Sequence, residues 1–317
     1  MSIRVRASLL LFAALLPFAP SLRNALIWDD ARLLQVRLSY PEIEGIADIW
    51  TQPFWGPTLP PDTYRPLSLS LLYTQKLAFE NHAAGYRFVS LLLHAAVTLL
   101  VAAVVGRFAG DRTGFATALL FALHPVHAEA VAMAYGQLEL LAALFGLLAA
   151  WLYLQALQHH ARLYRFGAFA CVALAACAKE SALMLPALLA LLRVTSQPVE
   201  QPALLRGLWR EALFLFAAAP YLLLRYNALG ALLPDPEATV TLGYGLGMRL
   251  KAVVIAAGHA LRLCIFPTGQ TVYYGHLRDS LLSWPLLEIA WILLGVAALA
   301  LLLPRIHGGG RGRVSLA

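Results

Sequence analysis

The apolar residues of this chain come in blocks, and the length of those blocks limits the fold more than any other feature. Leu- and Ala-rich stretches lie at about residues 5–22, 85–107, 113–131, 137–157, 162–178, 181–195, 208–226 and 284–303. At ~1.5 Å per helical residue, most of them suffice to cross a hydrocarbon core of ~30 Å. In lipid the backbone must satisfy its own hydrogen bonds. Long Leu/Ala blocks do so as helices, whereas a barrel would need short alternating strands. Composition agrees, since only 13% of residues are charged, about half of the ~25% usual in soluble domains. The expected fold class is an all-α integral membrane protein, a polytopic helical bundle.

The formal net charge of +7 does not point to nucleic acid, because the basic residues sit singly or in pairs at the ends of apolar blocks. That is how charge orients a membrane protein. Arg4 and Arg6 precede the first block, which reads as a retained anchor interrupted at its end by Pro17 and Pro20. Alternate turns then carry Arg107 and Arg112, Arg162 and Arg165, and Arg193, Arg206 and Arg210, while the opposite turn at 124–136 has no Lys or Arg. The bias places those basic turns in the cytoplasm. Residues 248–266 are too charged for a plain span and are expected in the outer interface, giving about eight crossings. The expected organisation is one membrane domain over 1–304, with a first extracytoplasmic loop at 23–65 and a disordered basic tail at 305–317. Cys171, Cys177 and Cys264 all lie inside apolar blocks and read as small buried side chains.

The loop at 23–65 is too long and aromatic for a mere connector: it holds Trp28, Trp50 and Trp55, several acids and the Pro-rich stretch 56–61. The apolar segment 66–79 that follows is short for a crossing and reads as an interfacial helix.

Polar residues concentrate on the outer side. The adjacent carboxylates of Asp29 and Asp30 can drive their pKa values apart, leaving one as a general base; such a pair is more commonly a helix N-cap or part of a solvated loop. Arg65, in Tyr64-Arg65-Pro66-Leu67, can bind a phosphate bidentately or snorkel to lipid headgroups. His124, His127 and Glu129, with Glu139 ten residues on from the last, invite a metal reading. Pro125 breaks the register that would converge them, so a polar cleft wall is the better reading. Lys179-Glu180 lies between two apolar blocks, as a satisfied ion pair or as the holder of a lipid-linked phosphate. Tyr226-Asn227 and Tyr273-Tyr274 are further outer clusters.

Taken in order, these pieces resemble a known family. They are Asn24-Ala25-Leu26-Ile27-Trp28-Asp29-Asp30, Tyr64-Arg65-Pro66-Leu67, Leu92-Leu93-His94, Phe121-Ala122-Leu123-His124-Pro125-Val126-His127-Ala128-Glu129, Leu138-Glu139-Leu140-Leu141 and Ala178-Lys179-Glu180-Ser181. Together they look like the membrane half of the O-mannosyltransferases that carry tetratricopeptide repeats, of the broader GT-C type, and of their bacterial relatives. The resemblance runs from about Asn24 to Tyr274.

It implies an inverting transfer of a sugar, mannose in the family's name, from a polyprenyl-phosphate donor to an acceptor hydroxyl on the extracytoplasmic face of a bacterial inner membrane. Asp29 or Asp30 inherits the general-base role. Lys179 and Arg65 would hold the donor phosphate, and Tyr64, His124, His127, Glu129, Glu139 and Glu180 would line the cleft. No cofactor is required if those cations suffice, and a divalent metal is compatible. The expected partners are the bilayer, the lipid-linked donor and an acceptor protein or glycan. Relatives usually have an arginine where this chain has Gln137, the repeats are absent, and the chain ends soon after one late span. A shortened or inactive member, kept as a membrane scaffold, is therefore one alternative. A transporter or flippase is the other, but it would place its charges near the bilayer midplane.

Overall fold

The computed structural model describes residues 1–39, 43–56, 62–159, 161–196, 212–233, 246–271 and 286–309. The described residues are helical and include no strand, an all-α membrane fold. They form two compact units, 1–234 and 235–317. The expected features at Tyr273-Tyr274, at Arg206 and Arg210, and in the Pro-rich stretch 57–61 lie outside the described residues.

The first unit contains α1 (Ile3–Leu15), α2 (Ile46–Thr51), α3 (Pro66–Phe79), α4 (Ala83–Ala109), α5 (Asp111–Leu123), α6 (Ala128–Ala132), α7 (Gln137–His159), α8 (Arg162–Ala178), α9 (Leu185–Ser196) and α10 (Ala219–Leu229). The second contains α11 (Leu246–Ile265) and α12 (Leu286–Gly309), which pack on each other. There Gly258 admits the backbone of Glu288 so closely that a Cβ would sit 2.5 Å from its Cα.

Among the described residues two helices, α4 and α7, are each long and apolar enough to cross a membrane. At 27 residues, α4 rises about 40 Å. A third crossing results if α5 and the following segment Pro125–Ala132, bent by 52°, act as one span. Three of the other blocks are interrupted, and proline is the recurring cause. The first block gives α1 only to Leu15, after which Pro17 and Pro20 tighten the chain into the 3-10 turn Ala19–Arg23. The block at 181–195 splits into the 3-10 turn Glu180–Met184 and α9, with Pro186 near the start of the helix. The block at 208–226 is described from Ala212 and splits likewise, with Pro220 in the first turn of α10. Proline costs least there, because the first N–H groups of a helix have no internal partner.

In the first unit α4 packs against α1, α5 and α7, and α7 packs against α8. Gly114 makes the α4–α5 contact intimate: a Cβ there would meet the Ala102 carbonyl oxygen at 2.5 Å and Gly106 Cα at 2.7 Å. Small residues allow such approach where lipid offers no hydrophobic drive to association. The main core gathers Val104, Ala149, Tyr153, Val172, Leu189 and Phe214 from five segments.

The described parts of the loop at 23–65 have their own core of Leu33, Leu34, Leu38, Ile49 and Phe54, packed on Leu69, Leu72 and Tyr86. Arg37, 1% exposed, organises its far side. The guanidinium donates to the Phe54 carbonyl at 3.1 Å, to Gln52 Oε1 at 3.0 Å and to the Pro53 carbonyl at 3.2 Å. Gly56 then turns at φ +68, where a Cβ would sit 3.0 Å from the Arg37 stem. Trp50 Nε1 donates to Ser70 Oγ at 3.1 Å, fastening the loop to α3. The helix expected at 66–79 is α3, with Ser68, Leu69, Ser70, Leu72 and Gln75 buried beneath the loop.

The two ends of the first unit differ in charge. Arg6 pairs with Asp111 at 3.4 Å, and Arg107 donates to Gln158, so the start of α1, the α4–α5 turn and the end of α7 share one end. The paired acids, Arg87, Glu139 and Lys179 belong to the other.

Overpacking a close helix contact costs ~1–3 kcal/mol. Gly114→Leu is expected to lower the unfolding temperature of the detergent-solubilised protein, whereas Gly110→Ala, at a glycine with open space around it, would act only through its positive φ. Equal stability of Gly114→Leu and the wild type would show that α4 and α5 are not held this closely.

Candidate active site

The turn after α1 carries the two acids in unequal settings. Trp28 adopts φ +50, a strained value for a residue with a side chain. Asp30, next but one, is 0% exposed. One carboxylate oxygen lies 2.7 Å from Arg87 Nη1, and the other accepts the Tyr135 backbone N–H at 2.7 Å. Arg87 also donates to the Ala25 carbonyl at 3.1 Å, closing the turn from the other side. Asp29 is only partly buried. Burial raises its pKa above the usual carboxylate range; Arg32 opposes the rise and Asp30 adds to it. Sequence left the two acids interchangeable. Here one is locked in a buried ion pair and the other reaches toward solvent.

The second half of the site gathers at the ends of α7 and α8. Arg65 Nε and Nη2 donate to the two carboxylate oxygens of Glu180, both at 2.7 Å, a bidentate pair. Its Nη1 donates to the Tyr135 hydroxyl at 2.8 Å, and the guanidinium lies 5.6 Å from the Phe54 ring centroid. Burial alone would raise the Glu180 carboxyl, but the Arg65 hydrogen bonds and charge outweigh it and hold its pKa low. Lys179, beside it, donates to Glu139. Burial, then the Arg65 charge, depresses the Lys179 ammonium; Glu180 and Glu129 pull the other way.

Tyr135 joins the halves: its backbone N–H holds Asp30 and its hydroxyl holds Arg65. Gly136 makes that turn possible, because a Cβ there would lie 2.4 Å from the Ala130 carbonyl oxygen. Glu129 lies within electrostatic reach of both Lys179 and Asp29. Trp55 stacks on the Tyr135 ring at 5.9 Å and 15°, and the Arg32 guanidinium is 5.8 Å from the Trp55 centroid. A groove of about 490 Å3 runs from Glu139 along Gly146 and Ala150 of α7, facing Ser181, Leu185 and Leu189. It has a charged head and an apolar length.

The structure therefore brings Asp29, Asp30, Glu129, Glu139, Lys179, Glu180 and Arg65 into one network. The histidines form a ring cluster: His127 lies 5.4 Å from His94 and 4.1 Å from Phe121 between centroids, and His124 Nδ1 accepts the Val126 N–H at 3.2 Å. Tyr64 is fully buried; its hydroxyl donates to the Trp50 carbonyl at 2.7 Å, and Tyr221 donates to its carbonyl at 3.3 Å. Among the described residues no three His, Cys, Asp or Glu side chains cluster so as to hold a metal ion. Gln137 is buried: it exchanges hydrogen bonds of 2.7 and 3.0 Å with Gln75 and donates to the Tyr86 carbonyl at 2.9 Å. Sequence reasoning missed Arg87 and Tyr135. For Arg87 a signal existed, since a cation near the start of a long apolar helix needs a counter-charge.

Residues 69–226 match the family model described as dolichyl-phosphate-mannose-protein mannosyltransferase. The chain carries a domain of this mannosyltransferase family. The matched segment begins after the Trp28–Asp30 turn and Arg65 and includes Arg87, Tyr135, Lys179 and Glu180. Among curated relatives of this mannosyltransferase domain, Protein O-mannosyl-transferase TMTC4 of Mus musculus is 32% identical over 166 residues, 46% of this chain and 22% of its own length. Protein O-mannosyl-transferase TMTC1 of Homo sapiens is 34% identical over 158 residues, 45% of this chain and 17% of its own. The chain thus spans about a fifth of the curated relatives it matches. No solved structure matches it.

Removing one partner of a buried ion pair leaves an uncompensated charge, at ~3–5 kcal/mol. Arg87→Ala is expected to destabilise the protein by that order in thermal or denaturant unfolding. The double change Arg87→Met with Asp30→Asn should recover part of the loss. An Arg87→Ala protein as stable as the wild type would mean that Asp30 has another counter-charge.

Proposed function

We propose that this protein is a glycosyltransferase that moves a sugar, mannose on the strength of its relatives' names, from a polyprenyl-phosphate carrier to an acceptor hydroxyl with inversion. The observation that supports this most is the single network joining the Trp28–Asp30 turn to Arg65, Glu180 and Lys179 through Tyr135, at the head of an apolar groove. A lipid-linked donor has the matching shape, a charged phosphate on a long apolar tail. In this reading the tail lies along α7 and α9, and Lys179 exchanges Glu139 for the donor phosphate.

Asp29 is the general base. It takes the acceptor hydroxyl proton as the oxygen attacks the anomeric carbon, and the bond to the carrier phosphate breaks on the opposite face with its electron pair leaving on the phosphate. Lys179 stabilises that charge, while Arg65 orients Glu180. Asp30 serves by fixing the turn. The chemistry runs without a metal if these cations carry the phosphate charge. The basic end of the unit, with Arg6, Arg107 and Arg162, is read as cytoplasmic, which puts the acids on the extracytoplasmic face of a bacterial inner membrane. The transporter alternative loses support because the paired charges sit at helix ends rather than on broken helices at mid-depth.

Transfer from radiolabelled polyprenyl-phosphate mannose by the purified full chain tests this. Asp29→Asn is expected to lower kcat by ~10²–10⁴-fold, the usual worth of a positioned base; transfer undiminished in Asp29→Asn would remove that residue as base. The base must be ionised, so activity should fall as pH drops through a raised pKa. The acid limb is therefore expected above ~3.9, the ordinary Asp value. Arg32→Gln, removing the charge that lowers Asp29, should move the limb further up; a limb that moves down, or not at all, would assign it to another group.

A further inference from the structure

At the basic end of the first unit, a cavity of about 780 Å3 lies between α8 and the segment 213–216. Arg162, Arg165, Phe166 and Phe169 line it from one face of α8, at the i, i+3, i+4, i+7 spacing of a single helical stripe. Leu213, Phe214 and Phe216 complete the apolar wall. Phe166 and Phe216 are 71% and 66% exposed, so the cavity opens sideways where the surrounding bilayer would meet it.

Among the described residues, charge at this site is unbalanced. At the opposite end every cation of the network has a carboxylate: Arg65 with Glu180, Arg87 with Asp30, Lys179 with Glu139. Among the described residues Arg162 and Arg165 have no ion-pair or hydrogen-bond partner, and Asp111, an acid of this end, is taken by Arg6. Like charges three residues apart on a helix repel one another, and in the first turn they also oppose the helix dipole. An anion above the cavity would relieve both. The geometry asks for a molecule with an anionic head at the two guanidinium groups and an acyl chain among the phenylalanines.

We propose that this cavity binds an anionic glycerophospholipid from the bilayer leaflet at the basic end, with its phosphate on Arg162 and Arg165 and one acyl chain along Phe166, Phe169 and Phe214. The occupant stands apart from the proposed sugar donor, whose network lies at the other end, so this inference survives or falls independently of the reading above.

Native mass spectrometry of the purified full chain, titrated with phosphatidylglycerol or with phosphatidylcholine of the same acyl chains, tests it. The wild type is expected to retain phosphatidylglycerol about tenfold more tightly: both lipids carry a phosphodiester, but in phosphatidylcholine the choline cation offsets its charge and is repelled by the two guanidinium groups. The Arg162→Gln, Arg165→Gln double variant should lose that preference, and the Arg162→Lys, Arg165→Lys variant should keep most of it. Equal retention of the two lipids by the wild type would overturn the proposal. So would an undiminished preference in the glutamine variant, or displacement of the lipid by soluble glycerol phosphate at comparable concentration, which would make the site one for a free phosphate. The wild-type comparison needs no variant to fold.

Discussion

A carboxylate with no solvent contact, beside the start of a long apolar helix, is tolerable only against a cation. The Asp30–Arg87 pair meets that condition and orders much else. Arg87 belongs to α4 and Asp30 to the loop that follows α1, so neutralising the charge fixes loop to helix. The second carboxylate oxygen then captures the Tyr135 N–H, fixing the turn before α7 as well. Two buried ions cost much desolvation, and their attraction alone does not repay it. The added bonds to Tyr135 N–H and the Ala25 carbonyl make the arrangement sustainable. What it supplies is register: three chain segments far apart in sequence meet in one geometry.

That register carries the strain at Trp28. A non-glycine residue at φ +50 persists only when its surroundings over-determine it, and the clamp on Asp30 does so two residues away. Asp29 is thereby held out of the ion pair next to a buried carboxylate. Proximity to Asp30 and partial burial both work against its charge. Two neighbouring acids of identical chemistry are thus set apart by their surroundings, Asp30 in a buried ion pair and Asp29 outside it.

The all-helical membrane class was legible from block length, and α3 was legible to the residue, because its start is marked by Pro66 and its end by Phe79-Glu80. Helix interruptions were harder. Pro17 and Pro20 were seen to break the first block, yet Pro186 and Pro220 divide others through 3-10 turns that hydropathy does not register. The network was legible as a set of polar residues on one side, because charge at the ends of apolar blocks survives averaging along the chain. Pairing was not legible. Asp30 with Arg87, or Arg65 with Glu180, are contacts between segments 57 and 115 residues apart, and nothing local to either residue names its partner. Tyr135 was invisible for another reason: half of its role is played by a backbone N–H, which every residue but proline has.

Gln137 shows how the buried pair limits its neighbourhood. An arginine was expected there by resemblance, as a cation of the cleft. Its position is instead enclosed by α3 and α4, where the Gln137 amide meets Gln75 and the Tyr86 carbonyl. A guanidinium in that place would need its own buried carboxylate, and Asp30, the one fully buried acid among the described residues, is already neutralised by Arg87. A neutral amide has no such need, since its donor and acceptor are both met by Gln75. With Arg87 in place, glutamine is the side chain that fills the layer without leaving a charge unmatched, and the cations nearer the groove, Lys179 and Arg65, each have a carboxylate partner.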